Sequence, residues 1–288
     1  MDEIKIWDVG LCFQPTPRPA ELEGPEEEEE ESWALLILNQ PLFLSLETFT
    51  TLWNKARWRI VADGGANMLY DHLGSELRGH YIPEAIRGDL DSARPEVLDY
   101  YASQGCKISR SDDQDTTDFQ KSIQLIEQME GTENTRPSGI LALGALTGRI
   151  DHLFHSLHIL YLYSSTRDIY LLSDTSIVWL LNRGKHIIWI DERCLGLTCG
   201  IAPIGIQGAN ITTRGLKWDL DHAWSSFGGL VSTSNIVVGY EEMAEQAPLQ
   251  DTALSPKDQT TREMMSKRKK IMVTTDAPVL WTIELSPS

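Results

Sequence analysis

Asp112, Asp113, Asp115 and Asp118 place four carboxylates within seven residues. They repel one another unless something positive sits among them. Asp63, and Asp89 with Asp91, occupy similar loops upstream. Oxygen ligands of this kind suit one or two Mg²⁺ ions that keep several waters. Mg²⁺ bound this way neutralises polyphosphate and leaves the protein little covalent work. Asp89 and Asp91 are two apart, and alternate side chains of an extended segment point the same way, so both are expected to reach one site. The simpler alternatives are that the acids only cap a helix and that Arg87 only holds one of Asp89 and Asp91 in a surface pair. Gly144, Gly148 and Arg149 offer N–H groups and a cation, a seat for phosphate. Asp151, His155 and His158 fall at spacings of four and three, on one helical face. They read either as a metal triad or as a helix-heading Asp beside Arg149 with two ordinary, partly buried histidines. No P-loop occurs, and no Gly-x-Gly-x-x-Gly follows the first strand, which disfavours Walker-type NTPases and classical dinucleotide enzymes.

The elements that must position these residues are legible in the apolar pattern. Phe119, Ile123, Ile126 and Met129 recur at steps of four, three and three, one face of a helix. Thr117 with Gln120 fits a capping box at its start. The acids thus crowd a helix N-terminus, where N–H groups and the dipole favour negative charge. Residues 33–38 are a continuous apolar run, as in a strand buried on both faces. A helix is expected at 45–56, a strand at 59–62, a short helix at 66–73, and further strands before Arg87, before Ser109 and over 139–143. The next helix carries Ile150, Leu153, Phe154, Leu157 and Tyr161 on one side. Strand–loop–helix repetition predicts an α/β, Rossmann-like parallel-sheet domain. Ligands of such sheets bind beyond the carboxyl ends of the strands, and every unusual loop lies at such an end.

After about residue 167 helices stop, and short β-rich runs predict a C-terminal antiparallel β-sandwich. The expected division is an acidic, Pro-rich arm over 1–31, an α/β nucleotide- and metal-binding domain over 32–166, and the sandwich over 167–288. A flexible insertion is expected at about 241–270, its basic cluster 267–270 read as a solvated loop. A mobile arm is expected because Pro15, Pro17, Pro19 and Pro25 prevent regular structure and the Glu26–Glu31 run is solvated, although Trp7 and Phe13 could dock.

A formal charge of −17 over 288 residues argues against a nucleic-acid groove and an anionic membrane surface. Apolar residues make up 41%, ample for a core. Cys12, Cys106, Cys194 and Cys199 form no CxxC pair, so zinc is not expected and a reduced, cytoplasmic compartment is. No signal-peptide h-region and no apolar run of about 18 residues is present.

Taken in order, residues 63–67 (DGGAN), 88–92 (GDLDS), 113–121 (DQDTTDFQK) and 143–151 resemble the thiamine pyrophosphokinase family. So do 215–218 (GLKW), 230–235 and 278–282. The resemblance spans about 33–240 and 271–285, and the Pro-rich start and long insertion resemble fungal members. It implies transfer of the pyrophosphoryl group of ATP to the hydroxyethyl oxygen of thiamine, giving thiamine diphosphate and AMP by attack at the β-phosphorus. It implies Mg²⁺ on Asp89, Asp91 and Asp118, with Asp63 near the metal or the attacking hydroxyl. Gln114, Thr117, Arg149 and Asp151 would line the nucleotide and thiamine sites. Trp218 would stack on thiamine, with Ser234 and Asn235 close by. It also implies a homodimer holding thiamine between one subunit's α/β domain and the other's β domain. Ala145 departs from the family pattern, which has a second glycine there. Two alternatives stand beside this: a non-catalytic thiamine or nucleotide sensor on the same fold, and a simple kinase yielding ADP.

Overall fold

The computed structural model describes residues 4–14, 32–240 and 268–286. They divide into two compact units, one over 32–177 and one joining 4–14 to the chain from Val178 onward. In chain order the elements begin with β1 (Ile4–Trp7) and a 3-10 turn over Val9–Phe13. The α/β unit follows: β2 (Trp33–Ile37), α1 (Leu46–Lys55), β3 (Ala56–Ala62), α2 (Gly65–His72), β4 (Ala85–Gly88), α3 (Pro95–Ser103), β5 (Lys107–Arg110), α4 (Asp118–Glu133), β6 (Gly139–Leu143), α5 (Ile150–Leu162) and β7 (Ile169–Leu172). The chain enters the second unit within β8 (Ser176–Leu181). It continues through β9 (Gly184–Asp191), β10 (Leu195–Ala202), β11 (Ala209–Arg214), β12 (Ala223–Ser225), β13 (Ser232–Ile236), β14 (Arg268–Thr275) and β15 (Val279–Leu285).

In the α/β unit the strands run β7-β6-β2-β3-β4-β5, and every pair is parallel. β2 and β6 are buried at every position, which is why they read as unbroken apolar runs. From β2 the chain steps outward through β3, β4 and β5, then returns to the other side for β6 and β7. That reversal opens a crevice beyond the carboxyl ends of β2 and its neighbours. α4 starts on the expected capping box: Thr117 Oγ1 accepts from Gln120 N–H, and the Gln120 side chain accepts from Thr117 N–H. Its apolar line Phe119, Ile123 and Ile126 is buried.

In the second unit β1-β9-β14-β11-β12 form one sheet, and β13-β10-β15 with β8 the other. Pairing is antiparallel where its register is defined, except that β1 runs parallel to β9. Aromatic rings fill the space between: Trp7 lies 6.0 Å from Trp179, and Trp179 lies 6.2 Å from Trp281.

Four expectations change. Residues 4–14 are not a mobile arm: Trp7 is 3% exposed, Asp8 pairs with Arg268, and Gln14 Nε2 donates to the buried Asp191 at 2.9 Å. The prolines begin only at 15, so nothing prevents extended pairing before them; 15–31, with the Glu run, lie outside the described residues. β14 begins at Arg268, so the insertion ends earlier than residue 270; Arg268 and Lys269 are strand residues paired with Asp8 and Glu192. Residues 241–267 lie outside the described residues. The expected boundary at 166/167 falls too early, because the buried run of β7 pairs parallel to β6. Finally, α5 buries Ser156, Ile159 and Leu160, while Ile150 and Phe154 of the expected core face are each 61% exposed.

Candidate functional site

A cleft of about 530 Å³ lies within the α/β unit. Its walls are Asn39 and Gln40 after β2, Asp63 after β3, Asp89 after β4, Asp113, Gln114 and Thr116 to Asp118 before and at the start of α4, and Gly144, Ala145 and Thr147 after β6. Asp151, His152 and His155 of α5 complete it. The sheet delivers these loops to one end because all its strands point the same way.

One oxygen each of Asp63, Asp89 and Asp118 lie within 4.8 Å of one another, the grouping suited to a metal ion among the described residues. Asp63 is 3% exposed, and its carboxylate accepts from the N–H groups of Ser92 at 3.3 Å and Ala93 at 3.2 Å. Its pKa is raised, first by burial and then by the Asp118 charge, against the opposing bonds from Ser92. A cation among the three acids would relieve that strain. Gly88 makes the approach possible: a Cβ there would stand 2.7 Å from Asp63 Cβ and 3.1 Å from Asp118 Oδ1. The lysine of the same motif enters the group. Lys121 Nζ lies 3.1 Å from Asp118 Oδ1 and 3.9 Å from Asp89 Oδ2.

Asp91 lies outside the three. Leu90 has φ +67, so the segment turns rather than extends, and the parity argument for Asp89 and Asp91 does not hold. Asp91 N–H instead donates to Asp89 Oδ1 at 3.2 Å, and Ser92 Oγ donates to Asp91 Oδ1 at 3.0 Å. The crowded acids before α4 also separate. Asp112 accepts from Arg110, and Asp113 accepts from Asp115 N–H and Thr116 Oγ1, which hold its pKa low. Only Asp113 and Asp118 of the four line the cleft.

Gln114, Thr117 and Asp151 line the cleft, whereas Arg149 does not. The Arg149 side chain, 73% exposed, forms a two-pronged pair with Asp151 at 2.5 and 3.1 Å, which keeps the Asp151 carboxyl below its usual range. Gly144 (φ +77) and Gly148 (φ +86) do form the expected turn. Ala145 is buried without positive φ, so its Cβ causes no backbone strain. Asp151, His155 and His158 do not form a metal grouping among the described residues. His155 Nε2 instead lies 2.8 Å from Thr117 Oγ1, joining α5 to the cap of α4.

In the β unit, Trp218 is 55% exposed. Its N–H donates to Asn235 Oδ1 at 3.2 Å, and Asn235 Nδ2 donates to its carbonyl at 2.9 Å. Asn235 is buried and Ser234 exposed with φ +55. The Trp218 ring is therefore presented to solvent while its backbone is held.

Asn39, Gln40 and Lys121 line the cleft without being candidates in the sequence reading, and His155 lines it as a hydrogen-bonding residue rather than a metal ligand. Lys121 could have been a candidate, since it stands three positions after Asp118 on the same helical face. Asn39 and Gln40 follow the first parallel strand, where such sheets bind ligands.

An open parallel sheet with an oxygen-only acidic group in the crevice beyond its strand ends fits the class of phosphate-handling enzymes. Comparison with known proteins narrows this. Residues 49–171 match the family model "Thiamin pyrophosphokinase, catalytic domain", and 185–245 match "Thiamin pyrophosphokinase, vitamin B1 binding domain". A thiamine pyrophosphokinase of Arabidopsis thaliana is 40% identical over 263 residues, covering 88% of this chain and 86% of that one. That of Saccharomyces cerevisiae is 33% identical over 260 residues, covering 73% and 81%. The crystal structure of the yeast enzyme superposes with TM-score 0.75 at 25% identity, over 99% of this chain and 92% of the other. The Candida albicans enzyme gives 0.70 at 27%, over 89% and 90%. The chain belongs to the thiamin pyrophosphokinase family and is an enzyme of it, so the sensor alternative is not favoured. The reaction that defines the family is ATP-dependent pyrophosphoryl transfer to thiamine. Among the described residues no helix is long and apolar enough to cross a membrane.

Proposed function

We propose that this chain transfers the pyrophosphoryl group of ATP to the hydroxyethyl oxygen of thiamine, giving thiamine diphosphate and AMP, with Mg²⁺ at Asp63, Asp89 and Asp118. The convergence of those three carboxylates in the cleft carries the reading. The donor set fits the ion: every ligand atom is an oxygen, the three are close enough to share one cation, and Gly88 leaves their approach clear. Bound there, Mg²⁺ supplies charge neutralisation for the polyphosphate.

The chain's own residues do the rest. Asp89 holds the β4–α3 loop through Asp91 N–H, so Asp91 acts behind it. Gln114, Thr117 and Asp151 face the nucleotide, and Asp151 keeps Arg149 at the rim. Thr147 Oγ1, buried with no partner among the described residues, is a hydroxyl that a substrate oxygen would satisfy. In the β unit, within the stretch matched by the vitamin B1-binding model, the exposed Trp218 ring offers a face for the cationic thiazolium. Asn235 fixes its backbone and Ser234 stands beside it. A homodimer belongs to the same proposal, supported by the uncovered apolar residues Ile150 and Phe154 of α5. So does a cytoplasmic location, in keeping with four cysteines that form no CxxC pair.

The test is incubation with ATP, Mg²⁺ and thiamine, followed by separation of the nucleotides. AMP and thiamine diphosphate in equal amounts are expected. ADP with thiamine monophosphate would overturn attack at the β-phosphorus.

A further inference from the structure

We infer that Lys121 is the positioning residue of the acidic group, an internal counter-ion that sets Asp89 and Asp118 for a divalent cation and competes with it. The inference deepens the metal reading above and rests on it. The Lys121 side chain is 3% exposed, against 31% for Asp118 and 25% for Asp89. Its ammonium is therefore held inside, with its two carboxylate partners on the cleft side. Among the described residues lining the cleft it is the one Lys or Arg, beside five aspartates.

The acids of the group are anchored in two ways. Asp63 is fixed by two backbone N–H groups. Asp118 and Asp89 have Lys121 in common, although they sit on different elements. The capping box and the bond from Ser122 Oγ to Asp118 carbonyl, 2.7 Å, make the first turn of α4 a rigid base for both Asp118 and Lys121. From it the lysine stem spans to the loop after β4. Without that bridge, two carboxylates on separate elements would repel until a cation drew them together in its place.

The same charge opposes a metal. A unit positive charge within about 4 Å of two ligand carboxylates raises the free energy of any cation sharing them. Lys121 thus keeps free-metal affinity low while keeping the ligands assembled. The metal then enters best together with the polyphosphate, whose negative charge outweighs the ammonium.

A packing role alone and a counter-ion role predict opposite signs for metal affinity. Mn²⁺ serves as the probe, titrated into the full chain without nucleotide and followed by electron paramagnetic resonance. Lys121→Met and Lys121→Gln are each expected to bind Mn²⁺ about tenfold more tightly than the native protein, or more. Their kcat with Mg²⁺ and ATP is expected to fall at least about tenfold. Lys121→Arg, which keeps the charge, is expected to retain native-like Mn²⁺ affinity. Lys121→Gln keeps polarity and length should Lys121→Met not fold. Unchanged or weaker Mn²⁺ binding in both neutral variants, with native binding intact, overturns the inference alone. If the native protein binds no Mn²⁺ even with a non-hydrolysable ATP analogue, the metal reading falls, and the inference with it.

Discussion

The indole Nε1 of Trp7 donates to Nδ1 of His186 at 3.1 Å, across 179 positions of sequence. His186 Nε2 lies 2.7 Å from the Asn182 carbonyl, which only accepts, so the ring is the neutral tautomer protonated at Nε2. Burial lowers the His186 pKa; the bond to Asn182 opposes this, and the Lys5 charge adds to it. With the folded pKa below the unfolded value, the unfolded chain binds more protons between the two. Stability from this site is therefore complete above about pH 6.5 and lost as pH falls below it. Urea melts followed by tryptophan fluorescence should show the midpoint falling over that window. His186→Gln should flatten the fall; an identical slope would clear His186 of the effect. Trp7→Phe at neutral pH should cost about 1–3 kcal/mol, since a buried acceptor loses its donor.

Asp89→Asn should lower turnover about a hundredfold or more at saturating Mg²⁺. The thermal midpoint should hold or rise, because one of three mutually repelling charges is gone. Unchanged turnover would remove Asp89 from the catalytic group.

Trp218→Ala and Asn235→Ala should differ. The first removes an exposed ring, so stability should change by no more than about 0.5 kcal/mol. The KM for thiamine should rise roughly tenfold from the lost cation–π face, with KM for ATP unchanged. The second removes a buried clamp on the Trp218 backbone and should cost about 1–3 kcal/mol as well as raising KM for thiamine. Calorimetry beside steady-state kinetics separates the two.

Gly148→Ala should be costly for two reasons. Its φ of +86 disfavours any side chain by about 1–2 kcal/mol. Its new Cβ would also stand 2.3 Å from Gln40 Oε1. A second change, Gln40→Ala, should relieve only the steric part. Gly74→Ala, with nothing within 4 Å and no positive φ, is the matched control and should be neutral or slightly stabilising. A rise in KM for ATP confined to the Gly148 variants would tie this turn to the nucleotide.

Local signals account for what the sequence made legible. The Thr117–Gln120 capping box needs only residues three apart, and it formed as read. The buried parallel strands announced themselves as apolar runs, and the acidic loops followed because parallel strands share one carboxyl end. Readings failed where a distant partner decides. β1 reads as part of a mobile arm because of the prolines and the Glu run that follow it, and its reason to be a strand is the distant β9. The α5 stripe has helical spacing, yet the unit buries the line through Ser156 and Ile159 instead. Asp91 was read on an extended segment, and nothing in its neighbours' types disclosed that Leu90 would take positive φ. Lys121 was visible in the motif, but its burial among carboxylates depends on the loop carrying Asp89.

The pairing of β1 with β9 also orders events in time. Ribosomes add about 5–20 residues per second, so roughly 10–35 s separate the birth of Trp7 from that of its partner His186. Residues 32–177, the whole α/β unit, are synthesised in that interval. β1 thus waits for β9, and until then its Ile4, Ile6 and Trp7 lack that strand on the nascent chain. Synonymous codon changes that slow translation between the two segments would lengthen this exposure without altering a single residue of the finished protein.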